Sequence, residues 1–134
     1  MSRIAFVNGR YVPHGEAAIH IEDRGYQFAD GVYEVCEVRE GHIVDERRHM
    51  ERLSRSLGEL RIPPPMSSRA LCFVLRETVR LNRVREGLLY LQVTRGVARR
   101  EHAFPSAGTR AALVVTARTR DRAKAETLAE AGIA

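Results

Sequence analysis

The clearest pattern along the chain is an alternation of period two. Between Val32 and Arg39 one face carries Val32, Glu34, Cys36 and Val38, and the other Tyr33, Val35, Glu37 and Arg39. The first face reads as one turned to a core. The second mixes a phenol, a small apolar wall and charges, as a strand beside a polar pocket would. Ile4–Val7 and Arg10–Val12 flank Asn8-Gly9 and predict an opening β-hairpin, since both turn residues tolerate positive φ. Ala17–Ile21 alternates weakly and predicts a short strand. Glu40-Gly41 turns the chain back through His42-Ile43-Val44.

The period then changes. Met50, Leu53, Leu57 and Leu60 recur at helical spacing after Asp45, a candidate N-cap, and predict a helix to about Leu60. Pro63-Pro64-Pro65 forbids its continuation. Ser67 or Ser68 can cap a second helix through about Leu81, with Leu71, Val74, Leu75 and Val79 as its apolar face. Leu88–Thr94 and Ala111–Ala117 read as strands, the second almost wholly apolar and so expected in the middle of a sheet. Arg95–Arg110 is a long polar loop of the kind that carries function. Thr119–Ala125 reads as a linker, and Glu126–Ala131 as a candidate short helix. Two helices against a mainly antiparallel sheet make an α+β domain.

Composition narrows the class. In 134 residues, 44% hydrophobic, one domain can build a real core. No run approaches the ~20 apolar residues of a membrane span. The N-terminus turns polar too soon for a signal peptide. Cys36 and Cys72 do not form a disulfide framework, and their apolar contexts suit core thiols of a reducing cytoplasm. Net charge is +5, and Lys124 is the only lysine, leaving 21 of the 22 basic residues as arginine. These arginines are scattered among acids, as in Glu46-Arg47-Arg48 and Glu59-Leu60-Arg61, with no aromatic series beside them. That distribution argues against a nucleic-acid partner. His14, His20, His42 and His49 have no cysteine or carboxylate at ligand spacing, so no metal site is expected.

Two ordered stretches carry most of the information. One is Asp23-Arg24-Gly25-Tyr26-Gln27-Phe28-Ala29-Asp30-Gly31-Val32-Tyr33-Glu34-Val35; the other is Gln92-Val93-Thr94-Arg95-Gly96-Val97-Ala98-Arg99-Arg100-Glu101-His102-Ala103-Phe104-Pro105. Both resemble the fold-type IV (class IV) pyridoxal-phosphate aminotransferases, and most of all the D-amino-acid transaminases. The likeness covers the first of that family's two domains. It implies that Arg52 binds the cofactor phosphate, a role suited to a permanently charged group with paired donors. It implies that Tyr33, Arg100 and His102 bind the substrate α-carboxylate, and that Val35 lines the pocket. In such enzymes the Arg100 loop serves the neighbouring subunit, which implies a homodimer. Ala29 departs from the family's usual glycine, which matters only if the position needs positive φ.

The resemblance further implies pyridoxal 5'-phosphate as cofactor and D-amino acids, such as D-alanine, with 2-oxo acids as substrates. The family's Schiff-base lysine and the group paired to the pyridine nitrogen come from its second domain, and Lys124 matches neither. The chain is therefore expected to comprise a first domain, residues 1–118, then an interdomain linker and the start of a second domain, residues 119–134. By itself it is expected to be inactive. Branched-chain amino-acid transaminase and aminodeoxychorismate lyase share the fold and stand as alternatives, although the Arg-x-His pair argues against both. A non-catalytic dimerisation module is the alternative of another class.

Overall fold

The computed structural model describes residues 3–132. Its centre is a six-stranded sheet in the order β2-β1-β6-β5-β3-β4. β1 (Ile4–Val7) and β2 (Arg10–Pro13) form the opening hairpin, with positive φ at both Asn8 and Gly9. Asn8 does a second job there, because its side-chain oxygen accepts from the Leu113 N–H and joins the turn to β6 (Ala112–Thr119). β3 (Gly31–Arg39) and β5 (Gly87–Thr94) pair antiparallel from Gly31↔Thr94 to Val38↔Gly87. β6 lies inside the sheet between β1 and β5, where its apolar sequence predicts it. β4 is only His42–Ile43 and pairs with Val38 and Arg39. Among the described residues, the rest of β3 therefore has one edge without a partner strand.

Among the described residues four α-helices accompany the sheet. α1 (Arg24–Phe28) is a single short turn before β3. α2 (Glu46–Glu59) packs on β3, and α3 (Ser68–Leu81) on β1 and β6. Leu53 and Leu57 of α2, and Leu71, Val74, Leu75 and Val79 of α3, are buried against Phe6, Cys36, Val38, Leu89, Leu91 and Val115. Each large apolar side chain so enclosed contributes about 1.5–3 kcal/mol. The alternation along β3 holds: Glu34, Cys36 and Val38 are buried, Val32 is partly so, and Tyr33, Val35, Glu37 and Arg39 are exposed. The architecture is α+β, as expected.

Four details differ from the expectations. Ala17–Ile21 forms no strand; a 3-10 turn at His14–Glu16 precedes it, and the nearby pairing is an isolated bridge between Asp23 and Val97. Leu60 does not complete the buried stripe of α2. It is the residue after the helix, and it is exposed. Asp45 occupies the N-cap position with φ 51° and no side-chain hydrogen bond to the helix. Thr119 ends β6, and α4 (Arg122–Ala131) begins inside the expected linker, capped by Asp121 accepting from the Lys124 N–H at 3.2 Å.

Candidate active site

Three groups of side chains gather around the Gly31 end of β3. The first stands on the sheet face turned away from α2 and α3. Alternation sends Tyr33 and Val35 there, 65% and 40% exposed. The Tyr33 ring stacks on Tyr90 of β5 at 6.0 Å and 29°. The Tyr90 hydroxyl donates to the Gln92 side-chain oxygen at 2.5 Å, and burial, then the Tyr33 phenol, push its pKa up. Val35 walls a shallow hollow of about 290 Å³ shared with Leu88, Tyr90, Thr116 and Arg118.

The second group sits on the opposite face. Glu34 is a carboxylate turned inward, its side chain 3% exposed. Burying an unpaired charge would be prohibitive. Arg52 of α2 closes on it as a fork, with Nε to Oε1 at 2.7 Å and Nη2 to Oε2 at 2.6 Å. His49, one turn earlier on the same helix face, lies 2.8 Å from Oε2 through Nδ1. Burial is the largest influence on Glu34 and raises its pKa. Hydrogen bonds from Arg52 and His49, then their charges, outweigh it and hold the carboxyl below its ordinary value. Arg52 in turn is raised, first by its hydrogen bond to Glu34, then by that carboxylate's charge, with lesser contributions from Cys36 and Tyr33. Glu34 also adds to the burial that pushes the Cys36 thiol up to about 12, so this sulfur stays a thiol in the core. Arg52 remains 57% exposed at its side chain. The fork uses one N–H at Nε and one at Nη2, so three of the five guanidinium N–H groups stay available for a ligand.

The third group organises the long loop. Asp30 accepts from Arg24 Nε at 2.8 Å and from Arg95 Nε at 2.7 Å, and Arg95 Nη2 adds a bond at 3.1 Å. The two arginines carry on to backbone carbonyls. Arg95 reaches Leu60 O and Arg61 O, and Arg24 reaches Glu101 O at 2.9 Å and Ala103 O at 3.4 Å. Burial, the largest influence, raises the Asp30 pKa. Hydrogen bonds and charge from Arg95 and Arg24 outweigh it, so it too lies below its ordinary value. Beside this cluster, Arg100 and His102 rest on the Phe28 ring, their centres 5.1 Å and 5.8 Å from its centroid.

The five residues singled out from the sequence thus fall into separate places. Arg100 and His102 are brought together on Phe28, and Tyr33 and Val35 share the open sheet face. Arg52 is paired with Glu34, on the face of β3 opposite Tyr33. Among the described residues no hydrogen bond or ring contact joins Tyr33 to the Arg100 loop within one chain. The partners Glu34 and His49, and the Arg24–Asp30–Arg95 cluster, were not assigned roles from the sequence. The alternation did place Glu34 on the core face, and a carboxylate there requires a cation. His49 and Arg52, three apart on α2, satisfy that need, yet Glu34 is 15 residues from His49 and 18 from Arg52.

Exposed cationic side chains thus stand near one end of the sheet of an α+β domain. The amino-transferase class IV family matches residues 31–132, and the chain belongs to that family. The D-alanine aminotransferase of Staphylococcus haemolyticus is 36% identical over 117 residues, 87% of this chain and 42% of that protein. Among solved structures, 4-amino-4-deoxychorismate lyase from Pseudomonas aeruginosa superposes with a TM-score of 0.71 at 28% identity, covering 87% of this chain and 40% of its own. The branched-chain amino acid aminotransferase from Escherichia coli gives 0.81 at 21% identity, covering 90% and 42%, a likeness of fold alone. The chain spans about two fifths of the length of the curated relatives it matches.

Proposed function

We propose that the chain supplies the phosphate-holding and carboxylate-holding side of a pyridoxal-phosphate-dependent transaminase. That enzyme moves the amino group of D-amino acids, D-alanine among them, to a 2-oxo acid. The observation that carries the reading is the Arg100–His102 pair, two donors held side by side on one aromatic ring. The D-alanine aminotransferase relatives support the substrate class. Branched-chain amino-acid transaminase and aminodeoxychorismate lyase are less well supported, because the Arg-x-His pair suits a D-amino-acid carboxylate site. A cytoplasmic homodimer, in which each Arg100 loop serves the neighbouring subunit, completes the proposal.

The residues present fit a phosphorylated cofactor. Arg52 is exposed, permanently charged and oriented by a buried carboxylate, with N–H groups to spare for phosphate oxygens. When bound, pyridoxal phosphate would supply an electron sink for charge developing at the substrate Cα. Arg52 would hold the phosphate, with Glu34 and His49 fixing its plane. Tyr33, Arg100 and His102 would donate to the α-carboxylate, and Val35 would limit the space beside it. With the face that takes the Cα proton fixed by the scaffold, the end at which these donors hold the carboxylate would set the orientation of the substrate, and so D over L.

The test is the kinetics of Arg100→Ala and His102→Ala in the intact enzyme with D-alanine, L-alanine and a simple primary amine. Loss of one charged donor should lower kcat/KM for D-alanine by roughly ten- to a hundredfold. The amine, which has no carboxylate, should be unaffected. Equal losses on all three substrates would assign the loop to folding or assembly instead.

A further inference from the structure

We propose that Phe28 is the positioning residue of the Arg100–His102 pair, the ring against which both side chains are set. This rests on the carboxylate-binding reading above. Two independent sets of contacts point to it. The loop backbone is held by one residue of α1: Arg24 donates to the carbonyls of Glu101 and Ala103. The loop side chains are held by another: the Arg100 guanidinium lies 5.1 Å from the Phe28 centroid, and the His102 ring 5.8 Å away at 53°. Carbonyls from 101 and 103 and side chains from 100 and 102 thus all meet residues of α1.

The grip comes from an element too short to be stable alone. α1 has five residues, so its ends must be fixed by specific bonds. At one end Asp23 accepts from the Gly25 N–H at 2.8 Å and from the Thr94 hydroxyl at 3.0 Å. Gly25 lies so close to the Thr94 side chain that any Cβ there would collide with it. At the other end Ala29 turns left-handed and returns its N–H to Arg24 and Gly25. Arg24, 4.8 Å from the same ring, is itself buried and bound to Asp30. Phe28 therefore stands on a fixed turn, whereas Arg100 and His102 sit on an exposed loop. Without the ring their rotamers would be free, and binding a carboxylate would have to order them each time. Electrostatics adds to this: two guanidinium groups, Arg24 and Arg100, share one π system, whose face attracts cations.

The experiment compares Phe28→Leu, which keeps apolar bulk and removes the π face, with Phe28→Tyr, which keeps the face, in the intact enzyme. Phe28→Leu should lower kcat/KM for D-alanine about five- to tenfold, mostly through KM, with the simple amine unchanged and Phe28→Tyr within about twofold of the parent. Arg100→Ala is measured alongside. If Arg100→Ala loses D-alanine activity while Phe28→Leu does not, the positioning role is overturned and the carboxylate reading stands. If Arg100→Ala keeps full activity, the carboxylate reading is overturned and the positioning role with it. Equal losses on D-alanine and the amine in Phe28→Leu would reduce Phe28 to a structural residue and overturn the proposal. A second measurement needs no stable variant. In the parent protein the His102 ring protons should resonate away from those of His14, His20 and His42 because of the Phe28 ring current, and coincidence with them would overturn the proposal.

Discussion

At the scale of single residues, Ala29 shows what one departure costs. It closes α1 at φ 54° and ψ 27°, the left-handed region. A methyl group there costs roughly 1–2 kcal/mol, partly offset because alanine loses less backbone freedom on folding than glycine. Ala29→Gly should therefore raise stability by about 0.5–1 kcal/mol, read as a higher urea midpoint with unchanged slope. An unchanged or lower midpoint would mean that the turn carries no such strain. Glu34 is a second case. Glu34→Gln keeps the shape and an acceptor for His49 but removes the charge that orients Arg52. The expected loss is roughly 1–3 kcal/mol, together with weaker cofactor retention in the intact enzyme. Arg52→Ala should also weaken cofactor retention, and Arg52→Lys should keep only part of it, since it retains the charge and loses the fork. Arg52→Ala is the less clean experiment, because it leaves the buried Glu34 carboxylate with His49 alone. Glu34→Gln with full cofactor retention would separate the pair from the phosphate site.

At the scale of elements, both long helices were legible from their apolar spacing, but their caps were not equally so. Ser67 accepts from the Ala70 N–H at 3.2 Å, while the Asp45 side chain makes no such bond. The sequence signal for the two is nearly the same: a small polar residue before an amphipathic run. What differs is the entry of the chain. Asp45 follows the tight β3–β4 hairpin directly and is forced to φ 51°, away from capping geometry. Ser67 follows a stiff proline link and arrives extended. Ser67→Ala should accordingly cost about 1 kcal/mol. Asp45→Gly should be neutral or stabilising, since it removes no cap and relieves the left-handed backbone. Matching losses in thermal midpoint for the two variants would contradict this. Ala17–Ile21 and α4 illustrate the other limit. A weak alternation became no strand because no sheet edge receives it, and Asp121 began a helix where polar composition alone suggested a linker.

At the scale of the whole molecule, the two inward carboxylates tie folding to pH. Glu34 and Asp30 both ionise more readily folded than unfolded. Below the ordinary carboxylate range the unfolded chain binds more protons, so their stabilisation is present above roughly pH 4–5 and is lost as pH falls through the lowered folded values. Denaturant midpoints should drop steeply below about pH 4.5. Glu34→Gln and Asp30→Asn, although less stable at neutral pH, should each flatten that slope; an unaltered slope in both would refute the linkage. The 134-residue chain by itself, incubated with pyridoxal phosphate, D-alanine and a 2-oxo acid, should show no turnover. Its only lysine, Lys124, is exposed on α4, which borders a hollow shared with Glu37–Arg39, the far end of β3 from Tyr33. Turnover with stoichiometric modification of Lys124 would refute that expectation. Period two and period 3.6 were enough, from the sequence alone, to find the six strands that form, though not to reject the one at Ala17–Ile21, and to give the two long helices, the α+β class and the face on which Tyr33 and Val35 stand, because each follows from local geometry and burial. Only the tertiary structure decided which cations meet Glu34 and Asp30, and that Phe28 carries Arg100 and His102. Apart from Arg24–Asp30, six residues apart across α1, those partners lie 15 to 74 residues apart, from His49–Glu34 to Phe28–His102, and no local periodicity encodes which buried charge or ring a distant side chain will find.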